Sequence, residues 1–273
     1  MDKVEQMIEQ IKAIAADTNK SVNQRVDEII TLHQSLDQYS HEAFQTGVAA
    51  YESARTLLLN DNYEDCHMMD LLMCDALLAK AYMHDQRSWL IAPLAQHAYD
   101  MMLGVSTDDE ESLKTMIAVI DRLCSVINSD HPRLLMKLYA MQYSFEKQRN
   151  EPNTDALKDT AEQLVSLATL SACDTWYAPL KEEIEALLGK DAVKEIEQNP
   201  YTGHLKKDPI EYSEEYEAVI DKVEEEVSNK MGNQPYEMGM CFEIWHIKQT
   251  ILAEKYGIEW RTPSQMNPRV MFD

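Results

Sequence analysis

The stretch MMDLLMCDALLAKAYM, residues 68–83, decides the fold class, because its apolar side chains would cover nearly every side of a helix. A helix that is apolar all round is typical of the centre of a large core. We therefore predict a central helix over residues 63–84 and an all-helical fold packed around it.

Two acidic residues interrupt this apolar stretch. Asp70 and Asp75 would lie within or beside the core, where an unpaired carboxylate is costly. One interpretation is an internal ion pair or hydrogen bond with Lys80, Arg87 or a helix terminus. The other is a polar pocket that holds a ligand or a metal ion.

Amphipathic patterns continue on both sides of the central helix, with apolar residues recurring at spacings of three and four. Helix starts are predicted by side-chain caps and by a proline in a first turn, at Ser21 with Gln24, Thr107 with Glu110, and Asp130 before Pro132. Helix ends are predicted by glycines that tolerate a left-handed conformation, at Gly104, Gly189 and Gly257. The predicted helices span 2–16, 20–38, 41–60, 63–84, 87–103, 108–128, 132–149, 154–170, 174–188, 213–230 and 236–256.

The starts of these helices follow a regular interval up to residue 174. Neighbouring helices begin about 18 to 23 residues apart, and pairs of helices repeat at about 43 to 45 residues. The sequence WLIAPL at 89–94 is echoed by WYAPL at 176–180, about two such intervals later. This regularity favours stacked antiparallel helical hairpins, each of which buries its apolar face against its neighbours.

Two patches within these hairpins carry a family resemblance. Phe44-x-x-Gly47-x-x-x-Tyr51 and Ala79-Lys80-Ala81-Tyr82 resemble tetratricopeptide-type helical repeats. The resemblance covers residues 20–190 and implies an interaction scaffold with a concave groove for a peptide or a partner helix.

The C-terminal third is predicted to be organised differently. Residues 197–210 hold two prolines and a glycine without helical periodicity, which predicts a linker between a repeat domain, 1–196, and a C-terminal appendage, 211–273. Residues 211–230 carry eight acids and two lysines in a predicted helix with one apolar stripe. The extended tail after Gly257 is rich in large apolar residues, which predicts a tail docked on the protein.

Composition restricts the function classes. Glycine occurs only seven times in 273 residues, which disfavours β-sandwiches and glycine-rich phosphate-binding loops. The net charge of −23 disfavours nucleic acid as a partner and favours encounter with a basic protein or peptide. No uncharged run is long enough to span a membrane. Five dispersed cysteines and a polar N-terminus without a signal-like pattern predict a cytoplasmic protein with reduced thiols.

No nucleophile elbow and no Cys–His pair with basic neighbours is found in the sequence. We therefore expect a non-enzymatic protein–protein or peptide interaction module of helical-repeat type, without a cofactor. The aromatic residues predicted to line its groove are Trp89, Tyr99, Tyr139 and Tyr143.

The alternative is a helical-bundle metalloprotein. Glu64–His67 and Glu243–His246 are both Glu-x-x-His patterns on predicted helices, and such pairs bind two metal ions in ferritin-like bundles. Glu64, His67, Asp70, Glu243 and His246 are the candidate metal ligands under this hypothesis.

Overall fold

The computed structural model of the chain describes residues 2–37, 40–60, 68–105, 109–127, 130–232 and 238–272. Within these residues the protein is all-helical and contains no strand, and helices make up 76% of the structure, so the predicted fold class is confirmed at this level. None of the described helices combines the length and the apolar character needed to cross a membrane. The chain divides into two compact units, 1–126 and 127–273.

The first unit is built around the predicted central helix. Its helices are α1 Lys3–Ala16, α2 Val22–Gln34, α3 His41–Asn60, α4 Met68–His84, α5 Ile91–Met102 and α6 Glu110–Val126, with a short 3-10 helix at Ser88–Leu90. Helix α4 packs against α3, α5 and α6, and α3 also packs against α1 and α2. Side chains of α1 to α4 form one apolar cluster that includes Ile11, Ile29, Leu58 and Leu71. The central position predicted for residues 68–83 is therefore confirmed.

Local capping signals have mixed outcomes. Ser21 caps α2 as predicted, because its hydroxyl accepts the Gln24 amide while its own amide donates to the Gln24 side chain. Thr107 lies outside the described residues. Gly104 does not take the predicted left-handed conformation, whereas Gly257 does (φ +68°) and ends its helix.

The second unit contains more helices than predicted. They are α7 Pro132–Gln148, α8 Thr154–Ser171, α9 Lys181–Leu188, α10 Lys190–Gln198, α11 Glu214–Glu217, α12 Ile220–Met231, α13 Met240–Tyr256 and α14 Pro263–Met266, with 3-10 helices at Ala178–Leu180 and Pro209–Tyr212. The predicted helix over 213–230 breaks between α11 and α12, and residues on both sides of the break, Tyr216 and Ile220, are buried in one core. The predicted helix over 174–188 begins only after Pro179, which belongs to a 3-10 helix.

The predicted linker 197–210 lies inside this second unit and leads into the 3-10 helix Pro209–Tyr212. The division into domains 1–196 and 211–273 stays a prediction.

The start of α7 is capped by a distant residue. Asp130 was the predicted cap, but its carboxylate faces Lys207 Nζ at 3.2 Å instead. The free amides of Arg133 and Leu134 donate to the Glu217 carboxylate at 3.1–3.2 Å, and the Arg133 guanidinium donates to the same group. Residues far apart in sequence are therefore joined by one carboxylate.

The C-terminal tail docks on its own unit. Trp260 is 4% exposed, and its indole N–H donates to Glu211 Oε1 at 2.9 Å. Arg261 forms an ion pair with Asp208, which lies at the end of the predicted linker. The tail thus joins the apolar core of residues 127–273 through Ile258 and Trp260, whereas Val270 and Met271 near its end are exposed.

Candidate functional site

The aromatic residues predicted to line a groove are not brought together in one place. Trp89 lies in the 3-10 helix before α5 and Tyr99 lies on α5, both half-buried in the first unit. Tyr139 and Tyr143 lie on α7 in the second unit, where Tyr143 is buried and Lys147 Nζ lies 5.7 Å from its ring centroid. None of the four lines the cavity described below, so their role in a groove stays a prediction.

The predicted metal ligands are also dispersed. Glu64 and His67 lie outside the described residues. Asp70 is exposed in the first turn of α4 in the first unit, and Glu243 and His246 are exposed on α13 in the second. Within the ranges that the structure describes, no three His, Cys, Asp or Glu side chains are arranged to hold a metal ion.

Asp75 forms an internal ion pair, but not with the predicted partners. Its side chain is completely buried and accepts hydrogen bonds from Arg55 Nε at 2.6 Å and from His97 Nδ1 at 2.7 Å. Lys80 and Arg87 are not its partners. Of the two interpretations, the internal ion pair is the one found in the structure.

A cavity of about 520 Å³ opens in the first unit between α2, α3, α4 and α6. Small-molecule sites in proteins typically occupy about 300–1,000 Å³ and lie between helices in bundles. The cavity therefore has room for a small ligand or for one or two side chains of a bound peptide.

Small residues on two facing helices create this space. Ala43 and Gly47 are one turn apart on α3, and Ala76 and Ala81 line the cavity from α4. A Cβ atom on Gly47 would lie 3.3 Å from His33 Nε2 and 3.4 Å from Ala81 Cβ. The absence of a side chain at position 47 lets α3 approach both neighbouring helices closely.

A hydrogen-bonded pair fixes the buried end of the cavity. His33 Nε2 lies 3.0 Å from the Ala43 carbonyl, and because a carbonyl can only accept, this nitrogen carries the proton. In the neutral ring, Nδ1 then accepts the Tyr51 hydroxyl at 2.9 Å. Burial raises the pKa of Tyr51 to about 12, with a further contribution from Cys74 and an opposing one from Arg122. Tyr51 is therefore a neutral hydrogen-bond donor with a fixed orientation.

The rim of the cavity is cationic. Lys80, His84 and Arg122 are exposed lining residues, and no carboxylate lines the cavity among the described residues. Neither Lys80 nor Arg122 forms an ion pair with any residue in the described part of the chain. The ring of His84 packs on Phe44, with centroids 4.6 Å apart. Partial burial, followed by the charge of Lys80, lowers the pKa of His84 below its usual value.

The sequence contained a signal for this site. The patch Phe44-x-x-Gly47-x-x-x-Tyr51 places all three residues on the cavity, and Lys80 and Ala81 of the second patch face it from α4. Both patches were interpreted through the repeat resemblance, and the polar rim residues His84 and Arg122 had no pattern that set them apart.

The acidic segment 211–230 has fewer unpaired carboxylates than its composition indicates. All twenty residues of this segment are described, and most of its eight carboxylates have cationic partners inside the second unit. The paired residues are Glu211 with Lys207, Glu217 with Arg133, Asp221 with His131, Glu224 with Lys248, and Glu226 with Lys230 and Lys255. Much of the negative charge of this segment is therefore neutralised by ion pairs within the second unit.

No protein family model, curated protein or solved structure matches this chain.

Proposed function

We propose that this protein is a non-catalytic binding module that holds a segment of a partner protein or a peptide in the cavity of the first unit. The observation that carries the proposal is the cationic rim: Lys80 and Arg122 have no internal ion-pair partner, in a chain whose net charge is −23. Basic groups that a protein leaves unpaired around a concave apolar site are suited to an anionic ligand.

The partner expected at this site is acidic, not basic. The basic partner predicted from the overall charge would have to bind exposed carboxylates elsewhere on the chain. Within 211–230 three exposed glutamates have no ion-pair partner among the described residues: Glu214, Glu215 and Glu225. The cavity combines charge with apolar lining residues such as Phe44 and Leu77, a combination not found on the acidic segment. The cavity is therefore the better candidate.

The helical-repeat character belongs to the same proposal. Helices α1 to α6 pack against the next helix in sequence or the one after it: α1 packs chiefly on α3, and α6 packs chiefly on α4. Such sequential packing is suited to presenting a concave face, and a cytoplasmic location agrees with the free thiols.

The test is peptide binding to the full chain. We would titrate two fluorescein-labelled nonapeptides of equal length, both with a central phenylalanine, one flanked by glutamates and one by lysines, and follow fluorescence anisotropy. We expect the acidic peptide to bind at least about tenfold more tightly.

A blocking variant localises the binding. Ser125 is exposed at the cavity edge and its hydroxyl donates to the Arg122 carbonyl, so Ser125→Trp should fill the entrance without disturbing the core. Thr56→Trp is the matched control, because Thr56 is also an exposed helical residue whose hydroxyl bonds to its own helix, away from the cavity. Binding that is lost in Ser125→Trp and kept in Thr56→Trp supports the proposal; equal binding of both peptides, or no effect of Ser125→Trp, overturns it.

A further inference from the structure

We propose that the group held in the cavity is a phosphate monoester on a flat apolar ring, as in an aryl phosphate or a phosphotyrosine side chain. This inference rests on the proposed function in using the same cavity, and it adds the chemical class of the group that enters.

Charge complementarity favours a dianion. Lys80 and Arg122 contribute two positive charges that no described carboxylate neutralises, and the cavity lining contains no acidic residue among those described. A phosphate monoester carries about −1.5 to −2 charges at pH 7, whereas a carboxylate carries only one. The two fixed charges are therefore matched by a phosphate and only half matched by a carboxylate.

Donor count points to the same group. A guanidinium has five N–H donors in a fixed fork and an ammonium has three, and neither accepts hydrogen bonds. A phosphate presents three acceptor oxygens, enough for hydrogen bonds from both side chains, which line the cavity from α4 and α6, and the arginine fork is well suited to phosphate. The exposed position of both side chains at the rim places these donors at the entrance, so the phosphate would lie near the surface.

The interior is suited to the ring. Phe44 and His84 form a ring pair on one wall, and Tyr51 is held in place by His33 at the buried end. Gly47 and Ala81 line the cavity beside this wall without adding a large side chain to it. A planar apolar group could lie against Phe44 while its phosphate remains at the rim.

Ligand charge would also change the protonation of His84. The imidazole packs on Phe44 of α3 and feels the charge of Lys80 on its own helix, and the other titratable residues that line the cavity with it are His33 on α2, Tyr51 on α3 and Arg122 on α6, none of them a carboxylate. Partial burial and the charge of Lys80 keep its pKa low. A bound dianion would reverse the local potential and favour the protonated ring, so binding should be accompanied by proton uptake.

The experiment compares three small probes by isothermal titration calorimetry on the full chain: phenyl phosphate, benzoate and inorganic phosphate. We expect phenyl phosphate to bind about tenfold or more tightly than benzoate, the effect of at least one additional charged hydrogen bond, and also more tightly than inorganic phosphate. Repeating the titration at pH 7 in buffers with different ionisation enthalpies should reveal proton uptake for phenyl phosphate. Equal binding of benzoate and phenyl phosphate would overturn the inference.

Single-residue variants test which side chains bind the phosphate. Arg122→Gln and Lys80→Gln should each weaken phenyl phosphate binding by about tenfold or more, whereas Lys3→Gln, an exposed lysine on α1, should not. His84→Gln should abolish proton uptake. Thermal melting by circular dichroism verifies that each variant is folded, since all four residues are exposed. Unchanged affinity in both Arg122→Gln and Lys80→Gln would contradict the assignment.

A pair of peptides separates this inference from the proposed function. The acidic nonapeptide described above is compared with a version whose central phenylalanine is replaced by phosphotyrosine. If the phosphorylated peptide binds no better, the inference fails while peptide binding stands. If phenyl phosphate binds but neither peptide does, the phosphate site stands and the peptide-binding function fails.

Discussion

Replacing Asp75 by asparagine should destabilise the first unit by about 2–3 kcal/mol. The carboxylate is completely buried and accepts one hydrogen bond from Arg55 and one from His97. Bonds to charged groups are worth about 1.5–3 kcal/mol and neutral ones about 0.5–1.5 kcal/mol. In Asp75→Asn the side-chain size is kept, the single amide oxygen can still accept from Arg55, and the amide NH2 can donate to His97 Nδ1 once the imidazole takes its other tautomer. Each bond then loses roughly 1 to 1.5 kcal/mol. The Arg55 and His97 side chains are 23% and 37% exposed and can regain hydration, so the larger cost of an isolated buried charge does not apply.

Native-state hydrogen exchange measures this effect where it should occur, at the core amides of α4, without assuming that both units unfold together. Asp100→Asn is the control, because Asp100 is exposed on α5 and accepts a single hydrogen bond from Gln96. Its effect should stay below about 0.5 kcal/mol. A change of similar size for Asp75→Asn would refute the idea that the buried ion pair stabilises this helix.

Two further predictions concern the second unit. Glu217→Ala should lower the free energy of unfolding by about 1–2 kcal/mol, because the cap on the Leu134 amide is lost. Hydrogen exchange in the first turn of α7 should become faster. The control Glu215→Ala, at an exposed position, should have little effect. Burial alone would lower the pKa of His131, but the hydrogen bond that its Nε2 donates to Asp221, together with nearby carboxylates, raises this pKa above its usual value. Protonated His131 should therefore stabilise the second unit at pH values below about 6.5, the pKa of this histidine in the unfolded chain. This stabilisation should be lost as the pH rises through the pKa of His131 in the folded protein. An NMR titration should show that Asp221→Asn lowers the folded-state pKa of His131.

Features that depend on local sequence were predictable. The period of three to four in the apolar residues placed α1 to α8 within a few residues of their observed limits. The Ser21–Gln24 capping box was readable because both partners lie within one helical turn. In the central stretch, the apolar character of residues 68–83 predicted that most of the helix is buried, and only a few positions such as Asp70 and Lys80 reach solvent.

Partners across the fold were not predictable. For Asp75 the sequence offered neighbours on or next to its own helix, yet the side chain pairs with Arg55 and His97, which other helices bring to it. In the same way, the Glu217 cap on α7 depends on a contact across 83 positions of sequence. Periodicity specifies which face of a helix is buried but not which residue of another helix lies opposite.

The cavity escaped prediction for a related reason. Gly47 and Ala81 are each ordinary helix residues, and they allow the close approach of α3 and α4 beside the cavity only because the fold places them opposite each other. The low glycine content disfavours phosphate loops built from backbone amides. This restriction does not apply to a site whose donors are the side chains of Lys80 and Arg122.

The net charge of the chain is negative and the charge around the cavity rim is positive. The two charges act on an approaching anion over different distances. The net charge of −23 opposes the approach of an anion, but salt at 0.1 M screens this repulsion beyond about 10 Å. Lys80 and Arg122 act on the bound ligand in direct contact, where screening is weaker. Raising the salt concentration from about 10 to 150 mM should therefore increase the association rate of phenyl phosphate and leave its dissociation rate less affected, in NMR line-shape measurements. An association rate that falls as salt is added would contradict this prediction. It would mean that the surface around the cavity attracts the anion, and that the acidity of the chain does not extend around the cavity.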